Sequence, residues 1–191
     1  MENKYVTWAA LAVSICALGS SMESCSVSRE ALKIQHEQYI SQSKTIWEAT
    51  INEENNAVAI TPSNKKVSLL RAKIHYPTEI SDTDWPIEPP KYRFYLTTPF
   101  YNLKEMLEAK IPKEKHHVAL YISSIPVIIE SYYTINGESH YEKALYSLEY
   151  SAYISDKEWE QPSITVKGLL FVKRLAQEIK PRQYLDNLAD N

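Results

Sequence analysis

The chain has 191 residues, 44% of them apolar and 24% charged, with a net charge of −3, which fits one globular domain with a short appendage. Three glycines against 14 tyrosines and 10 prolines exclude a glycine-rich nucleotide loop, a collagenous chain and a low-complexity linker. The slight acidity gives no field to hold a polyanion, so no nucleic-acid partner is expected.

From Tyr5 to Met22, between Lys4 and Glu23, 18 consecutive residues carry no charge. At 1.5 Å per residue that is the short edge of what crosses a hydrocarbon core about 30 Å thick. With Tyr5, Trp8, Leu11, Ile15 and Leu18 along it, residues 1–24 are expected to hold a retained single-pass helix in a lipid bilayer. A cleaved secretory signal competes, because Lys4, the apolar run 6–18 and the small residues Ala17 and Gly19 suit a signal peptidase. A buried helix of the folded domain is the third reading. Lys4 and the amino terminus stand on one side, Arg29 and Lys33 on the other, so the charge bias that orients a span is small. Cys16 and Cys25 leave residues 26–191 without cysteine, which suits the cytoplasm and is permitted in a periplasm. The leading expectation is an inner-membrane protein with a cytoplasmic domain; periplasmic and secreted placements are the alternatives.

Residues 25–46 carry helix formers and no proline or glycine, and Leu32, Tyr39 and Ile46 recur every seven residues. That spacing predicts a juxtamembrane helical stalk, which together with the span could carry a homo-oligomer. The same residues could instead lie on the folded domain.

From Trp47 the periodicity turns to alternation, and 47–191 is expected to be one soluble domain. Trp47, Ala49 and Ile51 predict a strand, residues 52–56 a turn, and residues 57–61 its hairpin partner. In the next strand Leu70, Ala72, Ile74 and Tyr76 should face the core, with Leu69, Arg71, Lys73 and His75 opposite. Residues 77–90, with four prolines and four acids, read as a long surface loop. Tyr92, Phe94 and Leu96 point inward from a strand at 91–97. A helix follows, with Thr98 as cap, Pro99 in the first turn and Pro112 as stop.

Residues 116–154 carry the strongest strand signal. Pro126 marks a bend or an edge position, and Asn136-Gly137 is a tight hairpin pair, since both central positions must tolerate positive φ. The return strand places Ala144, Tyr146, Leu148, Tyr150, Ala152 and Ile154 on one face. Residues 163–172 read as a strand followed by helical turns, and Pro181 opens a terminal helix. The expected fold is α+β: a mostly antiparallel sheet with one or two helices, preceded by the transmembrane and juxtamembrane helices.

Catalytic patterns are scarce. His116 and His117 are adjacent and point to opposite sides of a strand, which prevents joint chelation. His75 and His140 read as surface histidines, and Asp82 and Asp84 as solvated loop acids. No serine sits on a glycine-flanked elbow, and Cys25 lies beside the membrane segment. The chain is therefore expected to be no enzyme, with no catalytic residues, no metal and no cofactor. What remains is a tyrosine-rich hairpin. Tyr132 and Tyr141 with Lys143 and Arg93 form a candidate binding platform, tyrosine offering flat area and a hydroxyl; ordinary cross-strand packing is the other explanation.

The uncharged amino-terminal span, the "SREALKIQHEQ" helix and the β-rich domain with "IPVIIESYYTINGE" together resemble small bacterial single-pass membrane-anchored proteins of uncharacterised function. The resemblance is one of architecture, covers most of the chain and transfers topology only. It implies an inner-membrane protein with a cytoplasmic domain, and some proteins of this layout are suspected defence effectors. The leading functional expectation is a non-enzymatic, membrane-anchored protein whose β-rich domain binds a protein or small-molecule partner as sensor or adaptor. The alternatives are a secreted or periplasmic binding protein after signal cleavage, and a nucleotide-sensing membrane effector in bacterial defence.

Overall fold

The computed structural model describes residues 31–35, 44–52, 56–111, 113, 116–157 and 159–189. The chain divides into two units, 1–44 and 45–191. In the first, residues 31–35 are helical (α1), and all five are exposed. The expected span and most of the stalk lie outside the described residues. Among the described residues no helix is long and apolar enough to cross a membrane. Ile46, assigned to the stalk by its heptad spacing, belongs instead to the second unit, where its carbonyl accepts from the Ser63 amide.

The second unit is α+β with antiparallel sheets. Its elements are β1 (Trp47–Asn52), β2 (Ala57–Pro62), β3 (Val67–His75), β4 (Trp85–Ile87), β5 (Arg93–Tyr95), α2 (Thr97–Lys110), β6 (Ala119–Ile135), β7 (Glu138–Ile154), β8 (Ser163–Leu175) and α3 (Pro181–Ala189). One sheet has the order β1-β2-β5, the other β4-β3-β6-β7-β8. β1 lies alongside β8 and β4 alongside β5, so the two sheets share one core. That core takes Trp47, Val58, Ile60 and Phe94 from the small sheet and Ile74, Val127, Ile129, Tyr146 and Leu148 from the large one. α2 adds Phe100, Leu103 and Leu107. Trp47 couples the layers: its indole N–H donates to Ser131 Oγ at 3.2 Å, and its backbone N–H donates to Tyr146 Oη at 3.0 Å.

The long β6–β7 hairpin closes at Asn136 (φ 50°) and Gly137 (φ 84°), the two-residue turn that positive φ at both positions selects. All six residues expected on the inner face of β7 are buried. The alternation fails where single extra residues enter the ladder. Leu69 pairs with Tyr133 and Arg71 with Tyr132, so Leu70 is a bulge. This corrects the expected faces of β3: Leu69 is 4% exposed and Leu70 48%, because a bulge shifts every residue on one side of it by one. Lys167 and Val172 are the corresponding extra residues of β8, opposite the register shifts at Glu149/Tyr150 and Leu145/Tyr146. β8 also runs on to Leu175 rather than stopping near Val172.

Two further expectations are corrected. The proline-rich stretch 77–90 contains β4, which pairs with Ala72, Lys73 and Ile74 of β3. α2 starts at Thr97 with Leu96 at the cap position and no side-chain cap, so Thr98 lies inside the helix; the burial of Pro99, Phe100, Leu103 and Leu107 holds this end by packing instead.

Candidate functional site

The outer face of the large sheet carries three of the four residues singled out from sequence, Tyr132, Tyr141 and Lys143. Tyr132 and Tyr141 are directly opposite across β6 and β7, with ring centroids 4.6 Å apart. The Lys143 ammonium lies 5.8 Å from the Tyr141 ring centre, but it donates to the carbonyls of Gln177 at 2.7 Å and Ile179 at 3.0 Å. Lys143 thereby fastens the connection between β8 and α3. Arg93 pairs with Ala59 in the other sheet and does not join the tyrosines. The cation that does is Arg71, its guanidinium 4.6 Å from the Tyr132 ring centre.

Beside this pair lies a charged chain that sequence reasoning missed. His75, expected at the surface, is 5% exposed. Its Nδ1 is 3.0 Å from Asp84 Oδ1 and its Nε2 3.0 Å from Glu130 Oε2. Asp84, expected to be a solvated loop acid, also accepts from Arg182 Nη2 of α3 at 2.7 Å. Glu130 Oε1 accepts from the Tyr141 hydroxyl at 2.5 Å. Burial pushes the Tyr141 phenol up, and the hydrogen bond to the Glu130 carboxylate adds to it, so this group is a neutral donor rather than a base. The Asp84 and Glu130 carboxylates lie on opposite sides of the His75 ring, so the three groups do not converge on a point where an ion could sit. Among the described residues no group of three or more His, Cys, Asp or Glu is arranged to hold a metal. His116 and His117 are both exposed, and His140 is half-buried, stacked 5.5 Å from Tyr133.

α3 sits on this face. Leu185, fully buried, meets Ile128 and Leu145 in a small apolar cluster separate from the main core. Asp186 accepts from the Thr78 amide at 2.7 Å and the Thr78 hydroxyl at 2.8 Å. Together with Arg182–Asp84, this ties the helix to the segment leading into β4.

The end of α3 borders a cleft of about 590 Å³, within the usual size of ligand sites. Its floor is apolar, formed by Ile80, Met106, Leu107 and Ile125; Tyr121, Ser123 and Tyr150 line one side, and Leu188 of α3 stands at its border. Burial pushes the Tyr150 phenol up, opposed by the hydrogen bond from Ser123. Lys110 and Glu79 flank the opening 3.9 Å apart and mostly exposed; such a rim pair adds well under about 1 kcal/mol. The cleft exists because β3 is shorter than its neighbour. Pairing of β3 with β6 ends at His75–Ile128, Pro77 follows and the chain turns away, while β6 extends back to Ala119.

Family models, curated proteins and solved structures return no match for this chain.

Geometry alone therefore separates two candidate surfaces. On the outer face the main polar groups hold one another: His75, Glu130, Tyr141 and Asp84 form one connected chain, and Lys143 is bound to backbone carbonyls. The cleft combines an open cavity with an apolar floor and hydroxyl groups at one wall, the combination that favours a bound molecule with an apolar body.

Proposed function

We propose that residues 45–191 form a non-enzymatic binding module whose ligand occupies the cleft between α2, β6 and the end of α3, and that the module is carried on the amino-terminal segment as a membrane-anchored sensor or adaptor, with its domain in the cytoplasm. The observation that carries the binding half is the cleft itself. Its apolar floor supplies affinity by burying ligand surface, at about 25 cal/mol per Å², and the Tyr121, Ser123 and Tyr150 hydroxyls supply orientation.

The anchoring half rests on the 18 uncharged residues from Tyr5 to Met22, at the short edge of what crosses a hydrocarbon core.

A titration with anilinonaphthalene sulfonate, an apolar fluorophore bearing one anion, tests the binding half. The folded protein should enhance its fluorescence with a saturable isotherm. Ser123→Phe, which fills the cleft from one wall, should weaken binding about ten-fold, the equivalent of about 1.4 kcal/mol, while leaving the unfolding transition cooperative. Unchanged affinity in that variant would place the dye elsewhere and overturn the cleft assignment.

Membrane fractionation with intact-mass measurement tests the anchoring half. The full-length mass should sediment with membranes and be released only by detergent. A mature chain starting near Ser20 would support secretion instead, and full-length protein in a detergent-free soluble fraction would remove the anchor.

A further inference from the structure

We infer that the cleft is built for an extended peptide, which adds a strand to the free edge of β6. The inference rests on the cleft being the binding site and names the class of its ligand. From Ala119 to Ile135 one side of β6 is fully paired with β7. On its other side, pairing with β3 covers only Ile128 to Ile135. Residues 119–127 therefore present an edge with no strand partner among the described residues, and Tyr121, Ser123, Ser124, Ile125 and Pro126 of that edge form a wall of the cleft.

A free edge offers backbone N–H and C=O groups at regular spacing, which only another extended backbone satisfies in series. Natural domains blunt such edges with prolines, charges or covering elements. Here the blunting is local: Pro126 removes one donor at the inner end of the exposed run, just past the last β3 pair, and "LYISS" at 120–124 carries no charge or proline. The cleft is a second, independent feature at the same edge. It leaves room beside the strand, where a covering loop would otherwise lie.

The side chains around the edge define the peptide. Strand addition sends alternate residues of the guest to opposite faces. On the inner face they meet Leu107, Met106 and Ile80, and on the outer face the half-open Leu188 of α3. The matching guest has small or medium apolar residues at alternate positions and little charge, since the adjacent Lys110 and Glu79 already face each other. At about 3.3 Å per residue the stretch of β6 from Tyr121 to Pro126 accepts a guest of about six residues.

The test uses the capped peptide acetyl-Lys-Val-Thr-Val-Thr-Val-Lys-amide, with terminal lysines for solubility, and two analogues, one N-methylated at the valines and one at the threonines. A strand hydrogen-bonds its neighbour through the amides of alternate residues only. One analogue should therefore lose affinity at least about ten-fold, from the loss of two or three backbone hydrogen bonds, while the other stays close to the parent. Amides of Leu120, Ile122 and Ser124, which alternate with those bonded to β7, should gain protection from exchange when the parent binds. Equal effects of the two methylations would show recognition by side chains alone and overturn the inference. A parent peptide that fails to bind while the fluorophore still occupies the cleft would overturn strand addition and leave the cleft reading standing; failure of both would remove both.

Discussion

Replacing Trp47 by alanine is expected to cost about 3–5 kcal/mol, the range for truncating a large buried aromatic side chain, and to lower the urea midpoint by more than any single change on the outer face. Trp47 is 1% exposed and packs edge-on against Tyr133 at 5.8 Å. Its truncation opens a cavity between the two sheets and leaves the buried Ser131 hydroxyl without the indole N–H. Since folded domains are stable by about 5–15 kcal/mol, the variant should unfold near ambient temperature or show a strongly reduced transition. Trp47→Phe separates the two contributions: it keeps most of the apolar fill and loses the hydrogen bond, worth about 1 kcal/mol. A Trp47→Ala loss below about 1 kcal/mol would mean that the layers are not coupled through this residue.

His75→Ala is expected to cost about 2 kcal/mol, on the scale of hydrogen bonds to charged partners. Asp84 and Glu130 lose their shared hydrogen-bond partner, and both are only partly exposed, at 40% and 23% of their side chains. The effect should extend to α3, because Asp84 also holds Arg182. Amide exchange in α3 should accelerate more than exchange in β7, whose ladder the substitution does not touch. Global destabilisation with equal acceleration everywhere would contradict a local tie between His75 and the helix. A loss within about 0.5 kcal/mol would make the pairing an exposed contact of little consequence.

Alternation and turn chemistry made the domain's fold class and its central hairpin readable before any coordinates. The Asn136-Gly137 pair and the inward series from Ala144 to Ile154 stand where period two places them. Failures concentrate at the bulges, since one extra residue at Leu70 reverses the faces assigned to Leu69 and Leu70 and leaves no local mark in composition. β4 was hidden by Pro86 and the prolines around it, since a proline suits an edge strand of three residues as well as it suits a loop.

The platform residues were legible in part, for Tyr132, Tyr141 and Lys143 share a face by simple counting across the hairpin. Arg93 could not be placed, because sheet membership depends on long-range pairing that spacing does not encode. Likewise nothing near His75 in the chain announces Glu130, 55 residues away, or Asp84 across β4. The cleft arises from a mismatch in strand length: β6 has 17 residues and β3 nine. A run of strand-forming residues from 118 to 126 that outreaches its neighbour was the available signal, and Pro77, ending β3, was its counterpart.

Chemical-shift mapping by NMR with the fluorophore as ligand tests the location of the binding site most directly. Amide shifts should cluster at Tyr121, Ser123, Ile125, Tyr150 and Leu188, and fade with distance from the end of β3. Shifts concentrated instead at Arg71, Tyr132 and Tyr141, with the cleft amides unmoved, would contradict the account and return the binding role to the outer face.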